Sequence, residues 1–236
     1  MLPCTLTLID RFEDEFNNKV VCEEAIDKNN KIIFRGSRNT VTVKKGARLE
    51  WVTIEFDCDD GVFEIGSHRG VASFKGYIRI GEQCRVLIGD NVSATNRCLI
   101  TVAERTSVSI GDDVMLAADV ELRADDAHPI FDVPTGARIN MPKEICVGNH
   151  VWIGRRAAIL GGTAVGDGSV VGYGSIVKGK FPNNCVVAGV PAKLIRRNIA
   201  WERPHLSGVA PFYKPDASYV SKSDYWNLTE DDDFVG

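Results

Sequence analysis

The chain carries only four histidines, His68, His128, His150 and His205. Histidine is the side chain whose ordinary pKa lies nearest neutrality, so it is the first candidate for a general base. His128 stands in Ala124-Asp-Asp-Ala-His-Pro-Ile-Phe-Asp. Its neighbours Asp125, Asp126 and Asp132 are carboxylates, which can orient an imidazole and stabilise its protonated form. The competing reading is a surface loop histidine among solvated acids, and spacing alone leaves both open. His150 falls at a turn and reads as an ordinary surface residue. His68 lies in a turn and His205 in the tail, with nothing to distinguish either. No two of the four share a metal-ligand spacing, so no metal site is expected.

Two further features bear on chemistry. Trp152 sits next to an inward-reading Ile153, so alternation points the indole outward, where it marks a contact with ligand or with another subunit. From Lys143 to Arg197 there are eight Lys/Arg and two acids, a net +6, while the whole chain carries −4. A basic segment in an acidic chain suits a small polyanion better than a nucleic acid, which calls for a broader basic face.

The elements that must position these residues are legible from Ile145 to Val190. Read in sixes, the third place is Val147, Ile153, Ile159, Val165, Val171 and Val177, and the fourth is Gly148, Gly154, Leu160, Gly166, Gly172 and Lys178. A period of six fits no helix and exceeds simple strand alternation. It fits a short strand and a turn, repeated, with the aliphatic inward on every side, which is a parallel β-helix. Similar sixes run from Ile88 to Ala127, and raggeder strands extend back to Thr40. Residues 1–39 read as an N-terminal cap, 40–190 as the β-helix, and 191–236 as a short helix and an irregular tail. The sixes break between 127 and 144, where three prolines force a protruding loop. Loops on rigid scaffolds are where function concentrates.

The composition is that of a globular chain, 44% hydrophobic and 25% charged. No apolar run approaches the ~20 residues of a membrane span. The start has no basic n-region followed by an apolar run, so no secretion signal is read. Seven scattered cysteines without a CxxC indicate free thiols in a reducing compartment, and a cytoplasmic location is expected. The tail has aromatics from Trp201 to Trp226, expected to pack on the solenoid or on a neighbouring subunit. Its acidic end, from Glu230, reads as mobile.

The segment Val86–Ile199 resembles the hexapeptide-repeat O-acetyltransferases of the galactoside, maltose and nodulation-factor group. The resemblance is carried by Ile88-Gly-Asp-Asn-Val, Ile110-Gly-Asp-Asp-Val, His128-Pro with Arg138 downstream, Val147-Gly-Asn-His-Val-Trp-Ile-Gly, Val165-Gly-Asp-Gly-Ser-Val-Val-Gly-Tyr-Gly and Val187-Ala-Gly-Val-Pro-Ala-Lys-Leu-Ile-Arg. Asp-Asp-Ala-His-Pro-Ile-Phe-Asp, with Arg-Ile-Asn downstream, is similar to the branch that acetylates capsular and other surface polysaccharides.

The resemblance implies a left-handed helix, although the general rule for parallel crossovers would give the other hand. It implies a homotrimer with acetyl-CoA lying between subunits. By position, His128 matches the catalytic base, and Asp126 is taken as its carboxylate partner. Trp152 matches the residue lining the thioester. Gly154, Arg155, Gly172, Tyr173 and Lys178 fall along the pantetheine arm, and Lys193 and Arg196 match the residues that meet the phosphates. Asn96 lies one place from the family's acceptor-binding Asn and is taken, with Asp132, as facing the acceptor. The family's Thr-Lys before the last Pro is here Lys178-Gly179-Lys180.

The expected function is therefore O-acetylation of a sugar hydroxyl in a cell-surface polysaccharide. The alternative on the same scaffold is N-acylation of an amino sugar or nucleotide sugar. A non-catalytic solenoid is the reading from another class, and it predicts no acetyl-CoA binding.

Overall fold

A computed structural model describes residues 3–230. Among these, twenty-five strands of two to five residues form one sheet of eight strands, one of nine, one of six and a pair, and the only helix is a short 3₁₀ turn at Ala217–Tyr219. The large sheets are the three faces of a left-handed parallel β-helix of about seven turns.

Each face is held by a ladder of aliphatic side chains in register. On the first face Ile32, Ile54, Ile78, Ile100, Leu122, Ile159 and Val177 follow one another. On the second the ladder is Val43, Ile65, Ile88, Ile110, Val147, Val165 and Phe181. On the third it is Ala94, Leu116, Ile153, Val171 and Val187. All are buried. Every third-place residue of the sixes therefore points inward, and burial of these side chains is the main driving force for stacking.

The fourth-place glycine has a specific cause. At the corner after the second face, each coil's Asp or Asn side chain accepts a backbone N–H from the coil before. Asp112 Oδ1 accepts from Asp90 N at 2.7 Å, Asn149 Oδ1 from Asp112 N at 2.8 Å, and Asp167 Oδ1 from Asn149 N at 2.7 Å. A Cβ on Gly89 would lie 2.3 Å from Asp112 Oδ1, and one on Gly148 would lie 2.2 Å from Asp167 Oδ1. The Gly-Asx pair thus satisfies the corner amides only because the glycine has no side chain.

The stacking reaches further toward the N-terminus than residue 40. Lys19–Cys22 pairs in parallel with Thr40–Val43, and Lys31–Phe34 with Thr53–Phe56. Only Cys4–Leu6 and Phe12–Glu13, which run antiparallel to the first coil, close the end. The first coil repeats at 21 to 22 residues rather than 18, Val20 pairing with Val41 and Ile32 with Ile54, and its corner Cys22-Glu-Glu lacks the glycine that follows the inward aliphatic on later coils. The helix expected after Pro191 is instead a strand, Ala192–Arg196, antiparallel to Val186–Gly189. The last coil would otherwise leave an open edge of unpaired N–H and C=O groups, and this strand covers it. The acidic end after Glu230 lies outside the described residues.

Candidate active site

The loop leaves the first face after Glu121–Arg123 and rejoins the second at Ile145–Val147. Equivalent corner residues Asp112 and Asn149 are 37 apart, against 18 for the next pair. The extra chain forms a small hairpin: Phe131 bridges Arg138 antiparallel, Asp132 N–H donates to Ala137 C=O, and Ile139 N–H donates to Ile130 C=O. Asn140 stitches its base. Its Oδ1 accepts from Ile130 N at 2.7 Å, and its amide donates to His128 C=O at 2.8 Å and to Asp126 Oδ2 at 3.0 Å. Arg138 ties the arm to the scaffold through Glu104 at 2.7 Å, and this cation holds the Glu104 carboxyl below its usual range.

His128 stands exposed at the root of this arm. Its N–H donates to Asp126 C=O at 2.7 Å, and its imidazole has no hydrogen bond among the described residues. The residue before it, Ala127, sits at φ +60°, the left-handed region that a residue with a Cβ disfavours. Asp126 reaches His128 through Asn140 and the backbone, not through the ring. Asp132 Oδ1 accepts from Thr135 N and Oγ1, and Asn96 Oδ1 accepts from Arg97 N, so both are engaged in their own turns.

Trp152 points outward from the third face, 38% exposed. At the corner that follows, Gly154 and Gly172 lie on successive coils. A Cβ on Gly154 would meet Val171 O at 2.6 Å, so the coils touch backbone to backbone there. Arg155 pairs with Asp119 at 3.2 Å, and Tyr173 accepts at its hydroxyl from Arg156 at 3.1 Å. Trp152, Gly154, Arg155, Gly172 and Tyr173 thus share one edge. Lys178 lies beyond the first face, at the corner from which the arm departs. Lys193 and Arg196 are exposed on the closing strand. His128 and Trp152 share no hydrogen bond or ring contact among the described residues.

His150 is not the surface residue its turn position indicates. It is buried, with its ring stacked between Trp201 at 4.2 Å and Tyr225 at 4.7 Å. Its Nδ1 lies 2.5 Å from Asp113 Oδ2 and its Nε2 3.0 Å from Trp201 C=O. A carbonyl only accepts, so Nε2 carries a proton, and an ionised Asp113 asks for a second on Nδ1. Burial opposes charge on His150, but Asp113 and the Trp201 carbonyl outweigh it and raise its pKa. Burial likewise opposes charge on Asp113, yet His150 and Arg203 hold its pKa down. Arg203 completes the cluster with bonds to Ser93 Oγ at 2.8 Å and Asn91 C=O at 2.9 Å. Trp201 in turn lies 6.0 Å from Trp152. No sequence signal joins positions 90 residues apart, as Asp113 and Arg203 are. Asn140 was visible only within the Arg-Ile-Asn of the loop resemblance.

His68 is different: it accepts from Arg48 N at Nδ1 and donates to Val92 C=O from Nε2 at 2.8 Å. Burial lowers its pKa, as for a neutral structural imidazole. Among the described residues, no group of three or more His, Cys, Asp or Glu side chains is placed to hold a metal, and no helix is long and apolar enough to cross a membrane.

No protein-family model matches the chain. Over 176 residues it is 36% identical to the polysialic acid O-acetyltransferase of Neisseria meningitidis, covering 74% of this chain and 77% of that protein. Over 151 residues it is 41% identical to the polysialic acid O-acetyltransferase of Escherichia coli O1:K1 / APEC, covering 64% of this chain and 49% of that protein. The chain therefore spans about half the length of the latter relative. The crystal structure of the polySia-specific acetyltransferase NeuO superposes with a TM-score of 0.73 at 36% identity, over 81% of this chain and 89% of that one. From an outward tryptophan, an exposed loop imidazole and these likenesses together, it follows that the chain belongs to the family of the polysialic acid O-acetyltransferases.

Proposed function

We propose that the protein transfers an acetyl group from acetyl-CoA to a hydroxyl of a sugar in a capsular or other cell-surface polysaccharide, with His128 as general base. The observation that carries this reading is the exposed, unengaged His128 imidazole on a fastened arm, in a chain of this family. The acceptor hydroxyl gives its proton to His128 while its oxygen attacks the thioester carbonyl. The C–S bond then breaks, and the thiolate leaves with the proton held by the imidazolium. The products are an O-acetyl sugar and free CoA thiol. Holding both substrates together supplies much of the acceleration.

In this reading Trp152, Gly154, Arg155, Gly172 and Tyr173 line the donor's acyl end and arm, and Lys178, on a different corner, reaches the donor from the neighbouring subunit. Lys193 and Arg196 face its phosphates, and Asn96 and Asp132 the acceptor. Asp126 acts as a positioning residue through Asn140. The arm exposes Ile130, Phe131, Val133, Ile139 and Met141. Such an apolar surface fits a neighbouring subunit in a homotrimer, whose crevice would unite one chain's His128 with another's Trp152.

The test is to supply labelled acetyl-CoA with a panel of surface glycans and amino sugars and follow acetyl incorporation by mass. Incorporation on oxygen is expected. Transfer only to amines would favour the N-acyltransferase alternative. His128→Ala should lower kcat by roughly 10²–10⁴ without changing the melting temperature, because the side chain is exposed. Near-full activity in that variant would exclude the mechanism.

A further inference from the structure

Trp152 is partly exposed on the third face, and an indole on a bare strand has several staggered rotamers open to it. Met115 and Val170 stand in register with it on the coils before and after. A third neighbour comes from the C-terminal segment: the Trp201 ring lies 6.0 Å from that of Trp152, tilted by 44°. That separation and tilt are those of a favourable aromatic pair.

Trp201 is itself tightly held. It is buried, its indole N–H donates to His150 C=O at 2.9 Å, and its ring stacks on the His150 imidazole. His150 stands two residues before Trp152, so Trp201 is fixed to the same stretch of backbone that carries the exposed indole. The segment is also tied on either side of Trp201. Two residues before it, Ile199 N–H donates to Asn184 C=O at 3.0 Å, and Ile199 C=O accepts from the Asn184 side-chain amide at 2.9 Å. Two residues after it, Arg203 donates to Ser93 Oγ and Asn91 C=O. On the third face Ser93 lies two coils before Trp152, through Met115. Val186, at the start of the strand that follows Asn184, lies two coils after it, through Val170. The segment thus crosses five coils, with Trp201 at the middle one, beside Trp152.

We propose that Trp201 is a positioning residue for Trp152, and that the C-terminal segment is a strut holding this indole in the orientation in which it meets the acyl end of the donor. The proposal rests on the reading that Trp152 lines that end. It gives the segment a part in donor binding that does not require it to touch the donor. An indole already held in one rotamer loses little freedom when the donor arrives, whereas a loose one must be ordered at the expense of affinity.

The test is a double-mutant cycle on the full chain, read as the Kd for acetyl-CoA by calorimetry without acceptor. Trp201→Ala should raise that Kd about tenfold. Trp201→Phe keeps a ring beside Trp152 and should raise it by less than about threefold. In a Trp152→Ala background, Trp201→Ala should change the Kd by less than about twofold, because Trp201 acts through the indole. If Trp201→Ala does not fold, Trp201→Leu takes its place in the cycle. A wild-type Kd in the single variant, or a loss that persists undiminished without Trp152, would overturn the proposal. A readout without donor is the indole N–H NMR signal of Trp152, identified by its disappearance in Trp152→Phe. It should shift or broaden in Trp201→Ala, and an unmoved signal would overturn the strut. A wild-type chain that binds no acetyl-CoA, with that signal still responding, would overturn the donor reading and leave Trp201 as the residue that positions Trp152.

Discussion

Trp201 and His150 are bonded to each other twice: the indole N–H donates to His150 C=O at 2.9 Å, and His150 Nε2 donates to Trp201 C=O at 3.0 Å. With the two rings stacked, this pair fastens the C-terminal segment to the solenoid. The fastening depends on charge, because Nδ1 faces Asp113.

The pH dependence follows from the directions of the two shifts. His150 has its folded pKa raised, so its contribution is full below its unfolded value near 6.5 and is lost as pH rises through the folded value. Asp113 has its folded pKa lowered, so its contribution is present above 3.8 and is lost as pH falls through the folded value. The groups facing His150 are Asp113, Glu202, Arg203, Trp201 and Tyr225. Tryptophan fluorescence followed from about pH 5 to about pH 9 should show Trp201 becoming more solvated toward the alkaline end. His150→Ala should abolish that transition and destabilise the docked segment by roughly 1–3 kcal/mol. A wild-type signal flat across the range would refute the charged clasp.

Asn140 holds the root of the arm that carries His128, so Asn140→Ala should free His128 without touching its ring. We expect kcat to fall by about 10²-fold with the KM for acetyl-CoA little changed. Unaltered kcat would show that the arm positions itself by other means.

Gly148 packs against the next coil's Asp167, so Gly148→Ala should destabilise the solenoid by about 1–3 kcal/mol, seen as a lower denaturation midpoint. Its Cβ would also lie 2.9 Å from the Asp167 backbone N, so rotation of the Asp167 side chain alone does not relieve the clash. A midpoint equal to the wild type would mean that the corner is looser than its geometry shows.

Lys193→Glu combined with Arg196→Glu reverses two exposed charges on the closing strand. The KM for acetyl-CoA should rise about tenfold or more while kcat holds, and the rise should shrink at high salt. An unchanged KM would move the phosphate site elsewhere.

The architecture was open to a reading of the chain because it is periodic. Each side of a coil must send one aliphatic inward, so Val147 through Val177 announce the three faces at intervals of six, and Gly-Asx marks a corner whose amides need an oxygen from the next coil. The interruption at 127–144, with His128 in it, stood out for the same reason. Trp152 could be placed outward from alternation alone, and it is. The first coil was missed because its corner, Cys22-Glu-Glu, lacks the glycine that marks the later corners, and the closing strand because edge protection depends on what lies beside it. Tertiary structure alone turned His150 from a turn residue into the buried centre of a clasp. Its partners come from Asp113, Trp201, Arg203 and Tyr225, and only the folding back of the tail along the stack makes them neighbours. Periodic side-chain placement is a local property of the chain, whereas a charge shared across a stack belongs to the packed whole.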